Sequence, residues 1–131
     1  MKYIIITLLS AITALASGMP DKFTEAEFRE SDYFRYFGLH IQKPDGVFTD
    51  NLGRVLIQKS EEGFTVAYYL NDGALFTRIG DPIILRDTLS PHASALGDLG
   101  VPSIAARKKD GTGKIHIYIE KGVLKQKETA K

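Results

Sequence analysis

From Gly53 to Arg86 the chain reads GRVLIQKSEEGFTVAYYLNDGALFTRIGDPIILR, short apolar runs cut at near-regular intervals by turn residues. Such a pattern predicts consecutive β-strands joined by tight turns, which makes neighbours antiparallel. The expected strands are Arg54 to Lys59, Phe64 to Leu70, Ala74 to Ile79 and Ile83 to Arg86. Asn71-Asp72-Gly73 is a hairpin signal, and Gly80-Asp81-Pro82 reads as a break. In the second strand Phe64, Val66, Tyr68 and Leu70 share one face while Thr65 and Tyr69 share the other. Bulky groups on both faces imply a core on one side and a helix or second sheet on the other.

A second strand pair is expected near the C-terminus. Ser103 to Lys109 and Lys114 to Glu120 flank Asp110-Gly111-Thr112-Gly113. A four-residue loop there pairs Lys109 with Lys114, Arg107 with His116, Ala105 with Tyr118 and Ser103 with Glu120. Ile104, Ala106, Ile115, Ile117 and Ile119 then form a core-facing stripe. Lys121 to Lys131, rich in lysine, is expected to fray.

Before the meander, Thr24 and Glu27 form a capping box, and Phe23 and Phe28 are spaced for a hydrophobic staple. The helix they start is expected to reach Gly38, with Tyr33, Phe34, Tyr36 and Phe37 crowding its last turns. A short strand, Phe37 to Gln42, should turn Leu39 and Ile41 inward and His40 outward, followed by a turn at Pro44-Asp45-Gly46. Asp87 to Pro102 is the longest loop and a second candidate contact for a partner, and within it Ser90-Pro91 reads as the start of a short helix.

The fold class expected is therefore α+β or mainly β. An antiparallel β-meander is completed by a C-terminal hairpin, with a two-sheet sandwich as the alternative, and one N-terminal helix covers it. The 131 residues suit one domain. There is no cysteine, so the core is held by packing, and thiol chemistry is excluded.

Residues 1–16 have the order of a secretory leader: Lys2, the apolar run Tyr3 to Leu15, and the small-x-small site Ala14-Leu15-Ala16, with the cut before Ser17. Residues 17–131 are then a single secreted β-rich domain, extracellular or periplasmic. Without the leader no apolar run is long enough for a membrane helix, so no membrane association is expected after cleavage.

Charge is uneven. Residues 17–100 carry 8 basic and 13 acidic side chains, whereas residues 101–131 carry 8 basic and 3 acidic ones. The basic excess falls on the terminal hairpin, where Arg107, Lys109, Lys114 and His116 share a face with Tyr118. Like charges opposed on a sheet repel, and an anion relieves them. These five residues are the candidate binding site, for a partner protein first and for an acidic or phosphate-bearing ligand second. A solvated face whose lysines discourage edge pairing is the competing reading. Nucleic acid suits a near-neutral secreted chain less well.

No catalytic spacing is present. His40, His92 and His116 form no ligand pair, and no metal or other cofactor is expected. Asp87 or Asp98 with His92 and Ser90 or Ser94 lacks a nucleophile elbow. A ribonuclease-type hydrolase would need Glu61 or Glu120, His40, His116 and Arg107 to converge. That is the alternative to a non-catalytic, effector-type binding protein. In leader, size and strand number the chain resembles small secreted fungal effectors built as compact β-sandwiches, although it lacks their cysteines. Bacterial periplasmic inhibitors and immunity proteins share the same outline.

Overall fold

The computed structural model describes residues 19–30, 33–48, 53–94 and 101–130. The leader and its cleavage site lie outside the described residues. Strand β1 (Lys22–Thr24) leads into helix α1 (Glu25–Glu30). Strands β2 (Arg35–Leu39), β3 (Gly53–Ser60), β4 (Gly63–Asp72) and β5 (Leu75–Leu85) follow. Then come β6 (His92–Ser94), β7 (Ser103–Arg107), β8 (Gly113–Glu120) and β9 (Val123–Ala130). The protein is mainly β. Among the described residues the strands form one five-stranded sheet, ordered β1-β5-β4-β3-β2, and one four-stranded sheet, ordered β6-β7-β8-β9. All pairings are antiparallel.

The two sheets share a core. Val55, Ile57, Phe64, Val66, Tyr68 and Leu85 from the first sheet pack with Ile104, Ala106, Ile117 and Ile119 from the second. Burying these branched and aromatic faces against each other is the main favourable term in a chain with no disulfide. Tyr68 crosses the core, and its hydroxyl donates to the carbonyl oxygen of Ile117. The bond satisfies the one polar atom of a ring that is otherwise buried in hydrocarbon.

The other face of the first sheet is covered as well. Leu56, Ala67, Tyr69 and Phe76 pack with Met19, Phe23 and Phe28. The capping box is present: the Thr24 amide donates to Glu27 Oε1 at 2.9 Å, and the Glu27 amide donates to Thr24 Oγ1 at 3.2 Å. Phe23 and Phe28 stack with ring centroids 5.6 Å apart. Arg54 lies over Phe28 and Phe76 and pairs with Glu25 at 3.2 Å, tying the helix to the sheet. Arg78 donates to the Met19 carbonyl at 3.0 Å, and the Tyr69 hydroxyl donates to that of Pro20 at 2.7 Å.

Several sequence expectations are corrected. Helix α1 is one short segment and does not reach Gly38. Arg35 to Leu39 instead forms β2 against β3, a conformation that suits the aromatic Tyr36 and Phe37. Leu39 and Ile41 are buried and His40 is exposed, as the alternation required. Gly80-Asp81-Pro82 does not end its strand. Val66 pairs with Ile83 and Tyr68 with Ile79, so three residues of β5 face one of β4 in a bulge. Gly80 takes φ 69, and Pro82 lies beyond the β1 pairing, where a missing amide costs no ladder bond. Ser90-Pro91 starts no helix. His92 to Ser94 is a strand against β7. The expected frayed tail is β9, paired along its whole length with β8.

Candidate functional site

The β7–β8 hairpin has the expected faces, but its register is shifted. Arg107 pairs with Lys114, Ala105 with His116 and Ser103 with Tyr118, and the Lys108 amide donates to the Gly113 carbonyl at 2.9 Å. Lys109 therefore sits in the turn and not opposite Lys114. The cause is Gly113. A Cβ there would lie 2.2 Å from the Thr129 carbonyl oxygen, so this glycine belongs to the close β8–β9 contact, while Gly111, with φ 75, makes the turn. The parity of the strands is unchanged. Ile117 and Ile119 remain in the core, with Ile115 partly buried against it.

At this end of the second sheet lies a recess of about 390 Å³ lined by Leu89, Arg107, Lys109, Gly111, Lys114 and Thr129, among others. The crossover from the first sheet forms one wall. The Leu89 amide donates to the Arg107 carbonyl at 2.8 Å, and the Lys109 amide donates to the Asp87 carbonyl at 2.9 Å. The residues around Lys108 and the tip of β9 form the other walls. Lys108 is neutralised by Glu128 at 2.5 Å. Among the described residues no carboxylate lies within ion-pair distance of Arg107, Lys109 or Lys114. Arg107 and Lys114 stand directly opposite each other, where side-chain origins are about 5 Å apart and like charges destabilise the pair. An oxyanion in the recess removes that repulsion and takes charge-assisted hydrogen bonds.

Two of the five expected site residues are not part of this recess. His116 is only 3% exposed. Strand β9, absent from the sequence reading, makes β8 an interior strand and flanks His116 with Lys127, while Thr129 bonds its Nε2 at 3.0 Å. Tyr118 is half-buried, between Ser103 and Lys125. Leu89 comes from the Asp87 to Pro102 loop expected beside the hairpin face, whereas Thr129 lies on a strand that was not expected. The glycine of Lys121-Gly122, directly after a strand, was the available signal for β9; these residues take φ 50 and 79, the conformation of a two-residue hairpin turn.

The turn itself is held by Asp110, whose Oδ1 accepts from the Thr112 hydroxyl at 2.7 Å and from the Thr112 amide at 2.9 Å. The hydroxyl bond, then the amide bond, holds the Asp110 carboxyl below its ordinary 3.8. A depressed carboxylate contributes order above its unfolded pKa and loses it as pH falls through the folded value. The Thr112 amide resonance is therefore expected to titrate with a midpoint below 3.8, and Asp110→Asn should abolish that titration in an NMR pH series.

The residue types named for a hydrolase do not converge. His40 adjoins the Gly53 end of β3 and Glu61 follows its Ser60 end, about 24 Å away at strand rise. His116 and Glu120 are about 13 Å apart along β8, and Glu120 accepts from Lys125 at 2.6 Å. Among the described residues no group of three His, Asp or Glu side chains is placed to hold a metal ion, and no helix is long and apolar enough to cross a membrane. No protein-family model, curated protein or solved structure matches the chain.

Proposed function

We propose that this chain is a secreted, effector-type binding protein without catalytic chemistry, which recognises an acidic patch on a partner protein through the cationic recess at the end of its second sheet. The observation that carries this reading is the group formed by Arg107, Lys109 and Lys114. These three cations surround one recess and have no carboxylate partner among the described residues. Leu89, 52% exposed at the rim, adds an apolar contact suited to a protein partner. The leader pattern of residues 1–16 supports an extracellular or periplasmic location.

Charge reversal tests the site. Arg107→Glu with Lys114→Glu should weaken binding of a glutamate-rich peptide at least tenfold by isothermal titration calorimetry, with the fold retained in circular dichroism. Unchanged affinity in that variant removes the recess as the binding site.

A further inference from the structure

We propose that the partner's acidic segment binds in extended form as an additional strand on the outer edge of β9, which no described strand pairs, and that this edge leads its side chains to the recess. The inference rests on the recess reading above and specifies how the partner is held.

Among the described residues strand β9 is the outermost strand of its sheet, and its eight residues pair with β8 from Glu120↔Val123 to Gly113↔Ala130 without a bulge. The two-residue turn makes Glu120 and Val123 a hydrogen-bonded pair, so the alternation of an antiparallel ladder follows. The backbone groups of Val123, Lys125, Lys127 and Thr129 point to β8. Those of Leu124, Gln126, Glu128 and Ala130 point to the open edge. The Leu124 side chain packs beside Gly80 of β5, where an added Cβ would lie 3.3 Å from its Cδ2, so the accessible part of the edge runs from Gln126 to Ala130. That part ends at the recess, because Thr129 and Ala130 line it.

Charge selects the occupant. The face that β9 shares with Arg107 and Lys114 carries Lys125, Lys127 and Thr129. Lys125 is held by Glu120, whereas Lys127 has no carboxylate partner among the described residues. A second copy of β9 would bring lysines against lysines, which is how edge strands resist self-pairing. A strand with carboxylates at alternate positions meets Lys127 from the side and carries its next carboxylate towards Lys114 and Arg107. Main-chain bonds then supply affinity, and the alternating side chains supply specificity.

The probe is an eight-residue peptide alternating glutamate with threonine, capped at both ends, titrated into the full chain. Gln126→Pro removes one outward amide from an edge strand, a position where proline is tolerated. It should weaken binding about tenfold while near-ultraviolet circular dichroism is unchanged. Two further peptides carry N-methyl groups on alternate amides, one on each set. Only the set that faces β9 should lose binding. Equal binding of both methylated peptides, or undiminished binding to folded Gln126→Pro, overturns strand addition. If Gln126→Pro does not fold, the methylated pair decides alone. Loss of binding in Lys114→Glu together with equal binding of both methylated peptides retains the recess and rejects the strand. Binding unaffected by Lys114→Glu rejects the recess. A lysine–threonine peptide or an RNA octamer that binds more tightly than the acidic peptide overturns the assigned partner.

Discussion

Tyr68→Ala is expected to lower the free energy of unfolding by about 4 kcal/mol, measured by urea denaturation near neutral pH. The ring is 1% exposed and lies where the inner faces of the two sheets meet. Truncation leaves a cavity bounded by strands on both sides, and neither sheet can close over it without shifting its own ladder. Tyr68→Phe separates the two contributions of the side chain. It keeps the ring and loses only the bond to the Ile117 carbonyl, so it should cost about 1 kcal/mol. If the alanine variant is no less stable than the phenylalanine variant, the two sheets do not share this core.

Gly63→Ala is expected to cost about 3 kcal/mol by the same measurement, from strained φ together with steric overlap. Gly63 opens β4 with φ 140, and a Cβ on it would lie 2.0 Å from the Leu85 carbonyl oxygen. The obstacle is backbone of the adjacent β5, so no rotamer change relieves it. Gly73 provides the comparison. It also has positive φ, 65, but an added Cβ would meet nothing within 4 Å. Gly73→Ala should therefore cost only about 1 kcal/mol, the conformational term alone. Equal losses at the two positions would show that close packing of β4 on β5 contributes nothing.

Which parts of this architecture were legible in the residues follows from where alternation is written. Phe64, Val66 and Tyr68 against Thr65 and Tyr69 gave the two faces of β4, and Ile117 and Ile119 gave the inner face of β8. Both assignments depend only on a two-residue period. The register of β7 on β8 was not legible, because it is fixed by the contact of Gly113 with a strand 16 residues further on. Strand β9 was invisible for a related reason. VLKQKETA has almost no apolar alternation, since most of its side chains are exposed and its place is held by backbone pairing. Missing β9 hid two things at once, the burial of His116 and the Thr129 wall of the recess. The helix was expected to run further than α1 because the capping box reports where a helix starts and not where it ends, whereas Tyr36 and Phe37 lie on the edge strand β2.

The strand order has a consequence for biosynthesis. Every described strand of the first sheet comes from residues 22–85 and every described strand of the second from residues 92–130. Neither layer has to wait for the other to find its neighbours. However, a nascent chain that has completed only the first layer presents Val55, Ile57, Val66 and Tyr68 to solvent until the isoleucines of the second emerge. Slow translation or truncation near residue 100 would prolong that sticky state, and a holding chaperone would find its substrate there.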